Sequence, residues 1–156
     1  MDWLTETKIP VGKTAKAAFE WLQENGDPRI QWSPRIRWMA LMDVPDENGE
    51  TKSQTPVSGF AMELIAHDSE EINRLDLANS LVEGRLPTGP KELLIGFLLA
   101  KNMELKLNDT VTLLGQSFDG GMAADNYAVV GFVKFGMIAM DQKMALMDIS
   151  GAQNTF

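Results

Sequence analysis

Apolar residues recur along the chain with two different spacings, and these spacings predict most of its helices and strands. Near the N-terminus, Ala15, Ala18, Phe19 and Leu22 fall on one face of a 3.6-residue repeat. This pattern predicts a helix over Thr14–Asn25, with Thr14 as its N-cap and Gly26 just beyond its end.

A strict alternation of apolar and polar positions follows. Apolar side chains at every second residue from Ile36 to Val44 predict a half-buried strand that opens at Ser33. The sequence Asp46–Glu50 contains Asn-Gly, the strongest short signal for a hairpin turn. The pattern therefore predicts a hairpin whose returning strand covers Pro56–Ile65.

The middle of the chain contains short elements separated by turn residues. Asp68 and Glu71 have the spacing of a capping box and predict the start of a helix. Beyond it the pattern predicts a buried strand over Leu93–Ile95, a helix over Phe97–Met103 and a strand over Thr110–Leu114. Before that last strand, Asn108 suits a turn position with positive φ.

The last third of the chain is predicted to add two strands and a helix. A polar loop of about ten residues, Gly115–Asn126, precedes a strand over Tyr127–Phe135. Met137–Met140 is an apolar connection, followed by a strand over Lys143–Met147 and the start of a helix at Ile149. Because helices and strands interleave in both orders, we expect an α+β fold with a mixed sheet.

Net charge, cysteine content and the length of apolar runs exclude several classes of binding partner and site. The net charge of −8 argues against nucleic acid and against anionic membrane surfaces, since both are bound through Lys and Arg. The chain has no cysteine, which excludes disulfides and thiolate sites. The apolar run Leu93–Ala100 is shorter than the roughly 20 residues that span a bilayer, so the residues given are expected to be soluble.

Three local motifs have simple structural interpretations. Gly12-Lys13-Thr14 lacks the earlier glycine and the buried strand of a phosphate-binding loop. The acidic turn Asp46–Glu50 lacks the ligand spacing of a calcium loop. His67, the only histidine, has no cysteine or triad partner nearby in sequence, and we interpret it as a surface or cap residue.

A series of short motifs over residues 30–156 resembles the extracytoplasmic domain of MacB/LolC/FtsX-type ABC transporter permeases. The motifs, in family order, are Ser33-Pro34-Arg35-Ile36, Val57-Ser58-Gly59-Phe60, Leu81-Val82-Glu83-Gly84-Arg85, Glu92-Leu93-Leu94-Ile95-Gly96 with Leu99-Ala100-Lys101, Leu105–Val111, Val129-Val130-Gly131-Phe132, Gly136, Asp141 and Ala152-Gln153. Three positions depart from the family: Ala61-Met62 replaces Asp-Pro, and Asn108 replaces glycine.

The resemblance implies a non-catalytic domain without cofactor or metal, outside the cytoplasmic membrane of a bacterium. It implies flanking transmembrane helices, and two lobes: residues 1–60 with 128–156 near the membrane, formed around a βαβ unit, and a smaller β-rich inserted lobe, residues 61–127. The implied partners are a separate cytoplasmic ATPase subunit or domain, a second permease subunit and a periplasmic carrier or adaptor protein. The implied function is transmission of ATP-driven motion to an exported substrate or a periplasmic partner.

Two groups of apolar residues are candidate partner contacts. In the lipoprotein-exporting branch of the family, the loop that corresponds to Gly115–Asn126 docks a carrier, and here Phe118 and Met122 are its large apolar residues. The second group is Met137, Ile138 and Met140, because flexible Met side chains suit adaptable interfaces. Packing beneath a neighbouring lobe is the alternative role for this second group.

Two other functions are open at this point. One is a carboxylate-based hydrolase that uses Asp119 and Asp125 with Glu83. The other is a free-standing extracytoplasmic ligand-binding or adhesion module. Membrane helices encoded on both sides of these residues would separate the transporter domain from both alternatives.

Overall fold

The computed structural model describes residues 15–65, 69–117 and 119–156, which divide between two compact units, residues 1–34 and residues 35–156. In the first unit, helix α1 covers Ala15–Asn25, as the apolar stripe predicts. It ends where Gly26 N donates a hydrogen bond to Leu22 O at 2.8 Å. Among the described residues, no helix has the length and apolar character needed to cross a membrane.

The second unit contains seven strands and five helices among its described residues. The strands are β1 Ile36–Pro45, β2 Thr51–Met62, β3 Leu81–Gly84, β4 Glu92–Gly96, β5 Thr110–Gln116, β6 Met122–Val133 and β7 Met144–Asp148. The helices are α2 Glu70–Arg74, α3 Leu77–Ser80, α4 Phe97–Asn102, α5 Ile138–Lys143 and α6 Ile149–Thr155. The α+β class with a mixed sheet is confirmed.

Six of the strands form a sheet that closes on itself. Around the ring the order is β1, β2, β7, β4, β6 and β5, and β5 returns to pair with β1. The pairs β2–β7 and β4–β6 are parallel and the other four are antiparallel. The long strand β6 makes closure possible, because its first half pairs with β5 and its second half with β4 and β3.

The inner face of this barrel forms the main core, as the alternation in β1 predicts. Trp38, Ala40 and Met42 point inward from β1, and Tyr127 and Val129 do so from β6. Leu99 of α4 and Ala152 of α6 belong to the same core. The two helices thus add apolar side chains to a barrel interior that is filled rather than hollow.

A second, smaller core lies on the outer face of the barrel. Met62, Leu94 and Leu146 belong to it, and they come from β2, β4 and β7. Leu77 of α3 and Leu81 of β3 pack against them. This part of the barrel wall is therefore apolar on both faces, which explains why β4 is a continuous apolar run instead of an alternating one.

Two predictions about the last third need correction. The loop predicted over Gly115–Asn126 is wrong, because β5 and β6 pair as far as Gln116 and Met122 and leave only residues 117–121 as the turn. Asp125 and Asn126 are polar because they lie on a strand with an exposed outer face. The connection predicted over Met137–Met140 is also wrong, since α5 begins at Ile138.

The predicted division into lobes stays a prediction. Its boundaries, after residues 60 and 127, fall inside strands β2 and β6, and both strands belong to the same sheet. The predicted cap at Asp68 and the interpretation of His67 lie outside the described residues. The predicted positive φ at Asn108 is confirmed, with a value of 70°.

An ion pair holds the turn between β3 and β4. Arg85 donates to both carboxylate oxygens of Glu92, at 2.9 and 2.6 Å, and the backbone N–H groups of Thr88 and Gly89 donate to the same carboxylate. The hydrogen bonds from Arg85, together with these N–H groups, lower the pKa of Glu92 to about 2 against the opposing effect of burial. The turn is therefore built around a charged Glu92.

Replacing Glu92 with glutamine should lower the free energy of unfolding by about 1–2 kcal/mol near pH 7, because a charge-assisted cluster is lost. Since the pKa of Glu92 is lower in the folded than in the unfolded state, its stabilisation is complete above the unfolded value and is lost as the pH falls toward about 2. Urea denaturation near pH 7 and near pH 2 measures this difference. The exposed Glu83→Gln serves as control, and an undiminished effect of Glu92→Gln near pH 2 would contradict the assignment.

Candidate partner-binding surface

The predicted contact residues Met137 and Ile138 lie together on the surface at the start of α5. Their side chains are 61% and 70% exposed. Met140, one turn further along α5, is half-buried and lines a groove in the outer wall of the barrel. Met137 and Ile138 are therefore exposed, whereas Met140 lies in the groove, and the contact role of these residues stays a prediction.

The groove has a volume of about 230 Å³ and is bounded by several separate segments of the chain. Its lining residues are Arg35, Phe60, Met62, Leu75, Leu77, Ser80, Phe135, Met140, Met144 and Leu146. All but Arg35 and Ser80 are apolar. We call it the α3–α5 groove.

Strand pairing gives the α3–α5 groove a direction. Its floor is the outer face of β2 and β7, where Phe60 lies opposite Leu146. Met144 lies opposite Ser58 at one end of the β2–β7 pairing, and Met62 lies four residues further along β2. The groove therefore runs along the strands, and α5 ends at Lys143, directly before Met144 at this end.

A cluster of three charged side chains occupies the other end of the groove. Arg35 precedes Ile36, which pairs with Ala61 beside Met62. Its Nε and Nη2 donate to Oε2 of Glu71 at 3.0 and 2.6 Å, and Nη1 of Arg74 donates to Oε1 at 2.8 Å. Only 2% of the Glu71 side chain is exposed, so a buried carboxylate is shared by two guanidinium groups.

The wall of the groove formed by α5 is held by a buried carboxylate. Asp141 is 3% exposed, and its Oδ1 accepts a hydrogen bond from Phe135 N at 2.6 Å. Gly96 allows β4 to approach α5, since a Cβ at that position would lie 2.2 Å from the backbone oxygen of Asp141. Asp141 therefore fixes the segment that carries the exposed Met137 and Ile138.

The predicted residues of the β5–β6 region do not join this surface. Met122 is 86% exposed, but it opens β6, whereas Phe135 of the groove lies just beyond the other end of this 12-residue strand. Phe118 lies outside the described residues. The predicted contact residues thus divide into one formed surface at α5 and a separate exposed side chain at the β5–β6 turn.

The structure does not bring together the three carboxylates of the alternative hydrolase. Glu83 lies opposite Phe132 on β6, seven residues from Asp125, or roughly 20 Å along a strand. Asp119 lies in the β5–β6 turn, where it accepts hydrogen bonds from Ser117 Oγ and Gly121 N. Paired catalytic carboxylates of glycosidases lie about 5–10 Å apart, so Glu83 and Asp125 do not have that geometry.

A polar cluster that the sequence analysis missed joins α6 to the barrel. The Lys91 ammonium binds the Asp125 carboxylate and Thr155 Oγ1, and lies 5.1 Å from the ring centroid of Tyr127. Tyr127 OH lies 2.7 Å from Thr155 Oγ1 and donates to Gly151 O at 3.1 Å. The hydrogen bond from Lys91 lowers the pKa of Asp125, whereas burial raises the pKa of Tyr127. No sequence motif indicates this cluster, because its members lie up to 64 residues apart.

A polar cavity of about 750 Å³ lies between the β1–β2 turn and the segment before β5. Three of its carboxylates have partners: Asp46 accepts from the backbone of Asn48 and Glu50, Glu104 pairs with Lys52 at 2.7 Å, and Asp109 accepts from Lys106 N. The acidic turn is thus held by its own backbone, as the sequence indicates. Over the described ranges, no group of three or more His, Cys, Asp or Glu side chains is placed to hold a metal ion.

Comparison of the sequence with protein-family models gives no match, and no curated protein matches it.

Proposed function

We propose that residues 35–156 are a non-catalytic extracytoplasmic domain of an ABC transporter permease, at the periplasmic face of a bacterial inner membrane. In this proposal the domain transmits ATP-driven motion from a cytoplasmic ATPase subunit or domain to an exported substrate or a periplasmic partner. A second permease subunit and a periplasmic carrier or adaptor are the further partners. The surface formed by Met137, Ile138 and Met140 is the proposed contact site.

The observation that carries the proposal is that residues of different motifs of the resemblance contact one another in the fold. Arg85 of one motif binds Glu92 of the next. Gly96 closes against Asp141, 45 positions along the chain. These contacts connect segments on the outer wall of the barrel, so several motifs of the series contribute to the same part of the fold.

The attachment of α6 supports a mechanical role. Phe156, just after α6, stacks on Trp38 of the core with ring centroids 5.9 Å apart. Thr155 and Gly151 are bound by the Lys91–Tyr127 cluster. A force applied to α6 would therefore be passed directly to β1 and β6 rather than absorbed by a loose segment.

The test uses the full-length gene product, purified from native membranes with its associated proteins. Residues 1–156 contain no cysteine, so Ile138→Cys introduces a single labelling site in this domain for an environment-sensitive fluorophore at the proposed contact surface, and any cysteine elsewhere in the gene product is first replaced by serine. The expected result is that an ATPase copurifies and that ATP changes the fluorescence at position 138. Thr110→Cys, also exposed, is the matched control and should change little.

Two results would overturn the proposal. One is that no ATPase accompanies the protein under conditions that preserve membrane complexes. The other is that ATP leaves the label at position 138 unchanged although the associated ATPase is active.

A further inference from the structure

We infer that the α3–α5 groove binds an acidic, apolar peptide segment of a partner protein. One large apolar side chain of the segment would occupy the floor, and a neighbouring Asp or Glu would accept hydrogen bonds from Arg35. The inference deepens the proposed function, on which it rests for treating the groove as a partner surface. It adds the chemistry by which the partner is recognised.

The floor of the groove is a site for an apolar side chain. Phe60 and Leu146, paired across β2 and β7, form its centre, and Leu75 and Phe135 contribute from the sides. Leu75 is an exposed large apolar residue. Covering these side chains removes apolar surface from water, which is the main favourable contribution to such binding.

The guanidinium group of Arg35, at one end of the groove, favours a partner segment with an acidic side chain. Arg35 and Arg74 share the single buried carboxylate of Glu71, and Arg74 also pairs with the exposed Glu70 at 3.6 Å. Arg35 is itself partly exposed, and its Nη1 makes no hydrogen bond within the described residues. An incoming carboxylate would meet a guanidinium already fixed in position by Glu71.

The side chains at the other end are suited to an occupant of variable shape. Met140 and Met144 line the groove there, and thioether side chains adapt to irregular partners. Met137 and Ile138 extend the apolar surface beyond the groove. A peptide chain passing over this end would therefore keep apolar contacts outside the groove as well.

The size of the groove favours part of a macromolecule over a free small ligand. Its volume of about 230 Å³ is below the roughly 300–1,000 Å³ typical of small-molecule sites. Such a space accepts one bulky side chain, while the remaining contacts come from the surface around it. Anchoring by one apolar side chain with a charged neighbour is a common form of peptide recognition.

The experiment is an NMR titration of the whole chain labelled with ¹³C in its methionine methyl groups. Met62, Met140 and Met144 report on the groove, whereas Met39 and Met122 are exposed on other strands. The probe is the acidic peptide GSELFESG, compared with its basic analogue GSKLFKSG and the non-apolar GSESSESG. We expect the acidic peptide alone to shift the groove methyl signals strongly, with an affinity at least about tenfold above that of either analogue.

Two substitutions at Arg35 separate charge from geometry. Arg35→Gln should remove the preference for the acidic over the basic peptide, whereas Arg35→Lys should keep it in weakened form, because lysine retains the charge without the planar fork.

Met140→Ser should weaken binding of the acidic peptide severalfold. Met39→Ser, an exposed methionine outside the groove, is the matched control and should bind like the unmodified chain. Each variant is first compared with the unmodified chain by its methyl spectrum, so that only folded variants are titrated.

Several results would overturn the inference. They are equal binding of the acidic and basic peptides, shifts at Met39 or Met122 without shifts in the groove, and no shift at about 2 mM acidic peptide. Displacement of the peptide by decanoate at lower concentration would also overturn it, because the occupant would then be a small amphiphilic carboxylate. None of these results bears on whether an ATPase moves the domain, so the two proposals fail separately.

Discussion

Gly59→Ala is expected to destabilise residues 35–156 by more than about 3 kcal/mol. Gly59 lies in β2 between Trp38 of β1 and Ala145 of β7. A Cβ at this position would lie 2.0 Å from the backbone oxygen of Ala145 and 2.5 Å from Cζ2 of Trp38. A backbone oxygen cannot rotate away, so β2 and β7 would have to separate.

The measurement is urea denaturation followed by circular dichroism. Gly89→Ala is the matched control, since the nearest atom to an added Cβ there is 3.9 Å away. The double variant with Trp38→Phe tests the cause, because it removes the contact with the indole but leaves the clash with Ala145 O. It should therefore remain strongly destabilised. A loss below about 1 kcal/mol for Gly59→Ala would show that the strands adjust, contrary to the close packing inferred here.

Asp148→Asn is expected to lower the free energy of unfolding by about 2–4 kcal/mol near pH 7, although it preserves the size of the side chain. Asp148 is buried, and its Oδ1 accepts hydrogen bonds from Leu64 N and Ile65 N at 2.8 and 3.0 Å. Its Oδ2 accepts from Ser150 N at 3.0 Å, which caps α6, and from Ser150 Oγ. An amide has one oxygen, so in the variant an NH₂ group would face a donor.

The effect of Asp148→Asn should depend on pH. Burial acts to raise the pKa of Asp148, but the hydrogen bonds from Ser150, Leu64 and Ile65 outweigh it, and the pKa is lowered from its usual 3.8. The stabilisation is therefore present above about pH 4 and is lost as the pH falls through the lower folded value. Unfolding curves at several pH values should show the gap between variant and parent closing in acid.

Asp76→Asn is the control for this experiment. Asp76 is exposed at a positive φ of 50°, a conformation that asparagine accepts, so the change should stay within about 0.5 kcal/mol. Two results would contradict the role given to the Asp148 carboxylate in joining β7 to the chain after β2. They are a small loss of unfolding free energy near pH 7, and a loss that stays constant down to pH 2.

The parts of the fold that the sequence predicts are those determined by local pattern. The alternation from Ile36 to Val44 predicts β1, and the apolar stripe around Phe19 predicts α1, both to within a few residues. The first half of β6 escapes prediction because Asp125 and Asn126 resemble loop residues. Their strand conformation depends on pairing with β5, and polar residues are normal on the exposed face of an antiparallel pair.

Closure of the sheet and formation of the groove cannot be predicted from local pattern. The ring closes only through the pairing of β1 with β5, in which Ala40 lies opposite Gly115, 75 positions away. The charged end of the groove likewise depends on the ion pair between Arg35 and Glu71, which lie 36 residues apart. In the sequence, Glu71 instead indicates a helix cap, because it lies three residues after Asp68. For the candidate site, the sequence identifies the apolar group at Met137–Met140, but it gives no sign of the charged cluster at the other end of the groove.

The closed ring also limits how other proteins can recognise this domain. Among the described strands, every member of the ring has two neighbours over part of its length. Outside β3, the one-sided segments include Thr51–Val57 of β2, which pairs with β1 alone, and Met122–Tyr127 of β6, which pairs with β5 alone. Peptide recognition by strand addition needs a free edge with a row of unpaired backbone groups. Strand addition is therefore limited to these one-sided segments, and over the rest of the barrel a partner would be recognised through side chains. Specificity there can change by single surface substitutions while the backbone scaffold stays the same.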